Sequence, residues 1–432
     1  MQPICQTPAP GLRVLSMADD RFKTARVTAA LLLPLREETA SAYAVLPFLL
    51  RRGCAAYPDF TALKRRLNQL YGARITADVA RVGESQALVL TAVSLDSRFA
   101  LQGEDVAAQC ASLLCSMLFE PALENGLFRA DDVEQEKRCL LELIQSEINE
   151  KRWYARHQCE RLLCEGEPYA VNRYGTPEGA EALTTASVTA AWKEALRTAR
   201  VQLMVQGSGD AAAVADAFRR GFAAVPGREP MTPELLTRFE AQAAPRTRTD
   251  RLAVNQSKLV LGFRTTETEG AGDVAAMRLM NALWGGTPHS LLFQNVREKK
   301  SLCYYCASSY DRQKGVLLVD SGVEEDKAAE AREEILRQLE AVRQGHFTPE
   351  ELESARLSVV NQLRTVGDLQ QTLAAWYLGQ AAQETLTTPE EAAAAVEQVD
   401  KARVCAAAET VAFQCVYMLA SNGSEEGNHG QE

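Results

Sequence analysis

The sequence predicts an α+β protein built twice over: two homologous domains, each a mostly antiparallel sheet with helices packed on one face. Three observations predict it. Alternating apolar runs such as Ala87 to Val93 read as half-buried strands, with long amphipathic helices between them. Placing Ala186-Ser-Val188-Thr-Ala190-Ala191 over Ala402-Arg-Val404-Cys-Ala406-Ala407 gives an offset of 216, half of 432 residues. The same gap-free offset carries Leu203 onto Leu419 and Gly207-Ser208 onto Gly423-Ser424. Third, a stretch with Gly227, Pro230, Pro233 and Pro245 reads as a join. The expected division is residues 1–226 and 251–425, with a linker at 227–250 and a polar, Gly-rich tail at 426–432.

In chain order, a strand is expected over Val27 to Leu33 and a helix from about Ser41 to Arg52, stopped by Gly53. Phe60 to Tyr71 places Leu63, Leu67 and Leu70 on one helical face, with Gly72 closing it. Strands follow at Arg74 to Ala80 and Ala87 to Val93, then an apolar-faced helix from Asp105 to Phe119. From Asp131 to about Cys164 one long helix is expected, with Val133, Leu140, Ile144 and Ile148 at core spacing. Its carboxylates Glu134, Glu136, Glu142, Glu147 and Glu150 read as a solvated face. Arg200 to Gln206 closes the half as a strand. Half two repeats the plan: strand Lys258 to Phe263, helix Gly272 to Trp284 broken at Gly285-Gly286, strand Gly315 to Ser321, helix Lys327 to Arg343. Thr348-Pro-Glu-Glu351 and Thr388-Pro-Glu-Glu391 are capping boxes that open two further helices.

Composition excludes several classes. A net charge of −10 argues against general nucleic-acid binding. No apolar run approaches a membrane span, and Met1 to Met17 lacks a basic, then apolar, secretory pattern. A cytoplasmic location is expected. Eleven cysteines, scattered mostly singly, suit free thiols in a reducing compartment. Cys303-Tyr-Tyr-Cys306 has redox-motif spacing, but on a strand its two thiols should point to opposite faces.

The densest signal is Ser290-Leu-Leu-Phe-Gln-Asn-Val-Arg297-Glu-Lys-Lys-Ser-Leu-Cys-Tyr304. Arg297 supplies a fork of donors for a carbonyl or carboxylate, and Tyr304 a hydroxyl on a rigid ring. This string resembles the C-terminal-half signature of the pitrilysin/insulinase family of metallopeptidases, Arg-Glu-x-x-x-Leu-x-Tyr. The resemblance implies that Arg297 and Tyr304 bind substrate peptide. It also implies a His-x-x-Glu-His zinc helix in half one. The four histidines, His157, His289, His346 and His429, include no two within five residues. Counting back from Gly53 puts Ala44 and Phe48 at the two His positions and Pro47 at the Glu. In Glu136-Lys-Arg-Cys-Leu-Leu-Glu142-Leu143, Leu143 falls at the third ligand position, with Glu142 beside it. None of these four aligned side chains can bind zinc or act as a base, so no metal and no cofactor are expected.

Leu70-Tyr71-Gly72-Ala73 and Gly175-Thr-Pro-Glu-Gly-Ala-Glu181 resemble the same family, and the likeness covers nearly the whole chain. It is most similar to the short, two-domain, zinc-less YfmF-like branch, a branch associated with aminopentanol modification of elongation factor P. The resemblance implies a fold like the mitochondrial processing peptidase. It also implies a non-catalytic subunit that pairs with a zinc-bearing paralogue and binds peptide or unfolded polypeptide. The alternative is a non-proteolytic scaffold or accessory protein. A lone enzyme with an unusual metal site is disfavoured by the histidine count.

Overall fold

The computed structural model describes residues 2–231 and 244–422, so Gly423, Ser424 and the 426–432 tail lie outside the described residues. It divides into two compact units. Unit one gathers Met1–Ser146, Val171–Leu235 and Gly367–Leu386; unit two gathers Glu147–Ala170, Leu236–Val366 and Thr387–Glu432. Each unit therefore takes one segment from the opposite half of the sequence, which the division at 227–250 does not anticipate.

Unit one is built on six strands, β1 Ile4–Ala9, β2 Leu12–Met17, β3 Thr24–Pro34, β4 Arg74–Val82, β5 Ser85–Leu95 and β8 Arg200–Gln206. A separate two-residue hairpin pairs β6 Leu123–Glu124 with β7 Leu127–Phe128. The sheet order is β1-β2-β8-β3-β5-β4. All pairs are antiparallel except β2 with β8. Alternation along β3 puts Val27, Ala29, Leu31 and Leu33 into the main core, where helices Val106–Phe119 and Thr185–Thr198 cover them. Leu32 points the other way, against Ala381 and Leu378 of the segment from the second half. The buried amides of Gln202 and Gln206 donate to the carbonyls of Tyr377 and Gln370 at 2.9 and 3.0 Å. Covering both faces explains why β3 is buried along nearly its whole length rather than at alternate residues.

Unit two is built on β9 Arg246–Leu252, β10 Ser257–Arg264, β11 Cys303–Asp311, β12 Val316–Val323 and β13 Ala412–Ser421. The order is β11-β12-β10-β13-β9, again antiparallel except for one pair, β13 with β9. With β1 set aside, this is the order of unit one strand for strand. Val188 and Val404, both fully buried, sit in the helices that immediately precede β8 and β13. The helix Lys151–Leu163 covers the second face of this sheet. Its Cys159 lies 3.6 Å from Cys415, and its Arg152 and Arg156 each reach the buried Asp320 at 2.5 Å. The offset of 216 carries 151–163 onto 367–379, which contains the helix Gln370–Leu378 of unit one. The duplicated halves thus exchange equivalent helices.

Several sequence expectations are corrected. The helix expected over 41–52 is two short ones, Glu37–Ala44 and Leu46–Leu50, because Pro47 has no N–H to continue a ladder and sits in the first turn of the second. The long helix from Asp131 is also two, Ala130–Ser146 and Lys151–Leu163, and the break coincides with the passage from unit one to unit two. Ile148, expected in the core, lies in that break and is 41% exposed. The stretch expected as linker ends in β9, which pairs with β13. Both capping boxes form as read, with Thr348 and Thr388 each accepting from the N–H three residues on.

Asp96 pins the end of β5 to the end of β8. Its fully buried carboxylate accepts from Ser208 Oγ at 2.5 Å, Ser208 N at 2.9 Å and Arg98 Nε at 2.9 Å. Gly207 must be glycine there: its φ is +114° and a Cβ would stand 2.8 Å from Asp96 Oδ2. Burial alone would raise this carboxyl, but the hydrogen bonds from Ser208 and Arg98 outweigh it and bring it down to about 2. The depressed group stabilises the fold above the ordinary carboxylate value, and that contribution is lost as pH falls from about 4 towards 2. Asp96→Asn is expected to cost about 2 kcal/mol in urea unfolding at pH 7 and much less below pH 3. Equal losses at both pH values would refute the charge argument.

Candidate functional site

Arg297 lies in a widened, π-helical segment, Leu292–Lys299, that follows a second one, Ala282–Gly286, after residues 287–291. Gly285 packs so close to β11 that a Cβ would meet Leu292 Cδ1 at 2.6 Å and Ser308 Oγ at 2.8 Å. Gly285-Gly286 is therefore a packed turn, not an open loop. The segment ends where Leu302 N donates to Val296 O and Ser301 N to Arg297 O, with Ser301 at φ +51°. Such widened turns recur at functional positions. The Arg297 side chain is 40% exposed, stands over the Phe293 ring at 4.7 Å, and has Glu298 at 3.5 Å.

Tyr304 is presented by a second irregularity. Cys303 pairs with Val323 and Tyr305 with Gly322, so Tyr304 is the extra residue of a β-bulge. It is 61% exposed, and its hydroxyl lies 3.4 Å from Glu324 Oε1. Glu324 also holds Lys327 at 2.8 Å, which with the Tyr304 hydroxyl keeps its carboxyl below the ordinary range.

The bulge overturns one expectation. In a regular strand Cys303 and Cys306 would face opposite ways; the extra residue returns them to one face. Both are buried, and their thiols hydrogen-bond each other. That bond lowers the Cys303 thiol, and the Arg297 charge acts in the same sense against burial.

The expected zinc positions lie in unit one. Ala44 and Pro47 are buried. Phe48 and Leu143 are partly buried and form part of the wall of a cavity of about 1110 Å³. Its wall also includes Leu63 and Lys64 of the helix Phe60–Gln69, Arg74 and Ile75 of the sheet's edge strand β4, and Glu136 and Glu142 of the helix Ala130–Ser146. Glu136 is not part of a solvated face. It shares the buried stripe with Val133, Leu140 and Ile144, and Arg52 Nη1 reaches its Oε1 at 2.8 Å. Arg52 Nε meets Asp132 at 2.8 Å, and Arg129 meets the other Asp132 oxygen at 2.7 Å. Arg52 and Arg129 thus neutralise Asp132 and Glu136 beside the cavity. Among the described residues, no three His, Cys, Asp or Glu side chains cluster so as to hold a metal ion. The role of Arg52 has no sequence signal, and Glu136, expected on a solvated face, stands three residues after Val133 and four before Leu140. No described helix is long and apolar enough to cross a membrane.

Residues 182–359 match the family model described as Peptidase M16 inactive domain. The chain is similar to the "Probable inactive metalloprotease YmfF" of Bacillus subtilis, 29% identical over 95% of this chain and 96% of that one. A conserved protein from Enterococcus faecalis has a similar crystal structure, with TM-score 0.88 and 25% identity, covering 98% of this chain and 99% of that one. The peptidase M16 inactive domain from Pseudomonas fluorescens shares the fold at TM-score 0.75 and 16% identity, covering 98% of each chain.

Proposed function

The chain is a homologue of the pitrilysin/insulinase (M16) metallopeptidases that lacks their zinc motif, and from that premise we propose that it is the non-catalytic, peptide-binding subunit of a cytoplasmic heterodimeric zinc peptidase. Its partner is a zinc-bearing paralogue. The observation that carries this reading is the presentation of Arg297 and Tyr304. A widened helix and a β-bulge, one after the other, hold both groups out of the core and toward solvent. An extended peptide offers carbonyl and carboxylate oxygens to such donors. With Ala44, Pro47, Phe48 and Leu143 at the aligned metal positions, the water-activating step falls to the partner.

The second reading is a non-proteolytic accessory protein, linked to elongation factor P modification. What favours it is that Arg297 and Tyr304 each have a carboxylate of this chain, Glu298 and Glu324, within reach. Co-expression with a zinc-bearing paralogue from the same genome separates the two. A stable 1:1 complex that hydrolyses peptides, with neither chain active alone, is the expected result. Absence of a complex at about 10 μM, the scale of weak protein pairs, favours the accessory reading.

A further inference from the structure

We propose that the cavity in unit one takes an acidic, partly apolar stretch of polypeptide; this rests on the peptide-binding reading above and names the class of peptide. The cavity, about 1110 Å³, exceeds the roughly 300–1,000 Å³ of ordinary small-molecule pockets, so it has room for several residues of chain. Its floor is apolar, with Phe48, Leu63, Ile75 and Leu143 in the wall. Phe60 stands at the rim, 66% exposed, a cost in water that a covering partner removes.

The charges around that floor lean positive once ion pairs are removed. Of the three lining carboxylates, Glu136 is held by Arg52, and Asp59 caps a helix, accepting from Ala62 N at 2.8 Å, but keeps its charge. Asp59 and Glu142 are left. Of the lining cations, Arg52 and Arg129 are held by Asp132 and Glu136. Arg51, Lys64 and Arg74 remain, all exposed, and among the described residues none has an ion-pair partner. They come from three different elements: the end of the helix Leu46–Leu50, the helix Phe60–Gln69 and the edge strand β4. Three free cations against two carboxylates, in a chain of net charge −10, leave a local positive excess at the rim. An incoming Glu or Asp meets more cations than carboxylates there, whereas an incoming Lys faces an excess of like charge at the mouth. The aliphatic Leu63, Ile75 and Leu143 in the floor suit apolar side chains of a peptide.

Fluorescence anisotropy on the full chain tests this with three fluorescein-labelled peptides of equal length, built from Leu with Glu, Gln or Lys. The Glu peptide is expected to bind at least about tenfold more tightly than the Gln peptide and to weaken as salt rises, while the Lys peptide binds most weakly. Lys64→Glu with Arg74→Glu should lower affinity for the Glu peptide by about tenfold or more and raise it for the Lys peptide, at unchanged thermal midpoint. Equal binding of the Glu and Gln peptides, or no effect of the double reversal, overturns the acidic preference and leaves peptide binding standing. If none of the three binds, with or without the zinc-bearing paralogue, the peptide reading falls as well. A single-stranded RNA of similar length that binds more tightly than the Glu peptide reassigns the rim to nucleic acid.

Discussion

Replacing Arg297 by Ala together with Tyr304 by Phe is expected to lower peptide turnover by the reconstituted pair on the order of 100-fold. The magnitude follows from the groups removed. A guanidinium hydrogen bond to a peptide oxygen contributes about 1.5–3 kcal/mol and a neutral hydroxyl about 1 kcal/mol, so the two together amount to roughly 3 kcal/mol. Stability should barely change. Arg297 is 40% exposed beside the more open Glu298, and Tyr304 is 61% exposed with a 3.4 Å contact to Glu324. Exposed pairs of this kind are worth about 0–1 kcal/mol. Turnover and urea unfolding measured on the same preparations separate the two effects. If turnover survives intact, the two side chains are relics satisfied by their own carboxylates, and the accessory reading takes precedence. If stability falls in parallel with turnover, the groups are structural.

What the sequence made legible was local. The strands β3, β5 and β8, the stops at Gly53 and Gly72 and both capping boxes depend on side-chain period and end chemistry within a few residues. The exchange of helices was not legible, because it depends on partners far away. Gln370–Leu378 has no strong apolar face, and what holds it in unit one is Gln202 and Gln206 reaching its backbone from β8. Lys151–Leu163 looked continuous with the helix before it because nothing at residues 147–150 is a strong breaker. The site was half legible. Arg297 and Tyr304 stand out by residue type, but the widened turn and the bulge that present them, the latter a one-residue mismatch with β12, have no signature in the sequence. That same mismatch reversed the expected orientation of Cys303 and Cys306. Glu136 was misjudged because a carboxylate at a core position reads as solvated until its cation, 84 residues earlier in the chain, is known.

That cation sets the other large effect. Arg52→Met is expected to destabilise the chain by about 3 kcal/mol, because it leaves the Glu136 carboxylate buried without a partner. Asp132 is less affected, since Arg129 still holds it at 2.7 Å. The Glu136 side chain is only 9% exposed and Arg52 is 29% exposed, so water cannot replace the lost guanidinium as it would at the surface. A chain with Phe48 and Leu143 where zinc ligands are expected still has to neutralise Glu136, and Arg52 supplies the charge. Replacing both residues, Arg52→Met with Glu136→Met, should recover all but about 1 kcal/mol, because a buried ion pair exchanged for apolar side chains of similar volume is often close to neutral. Urea unfolding of the two single variants and the double variant closes the cycle. A cost below about 1 kcal/mol for Arg52→Met would show that water reaches Glu136 after all. A double variant as unstable as the single one would show that Arg52 acts through packing against the cavity wall rather than through charge.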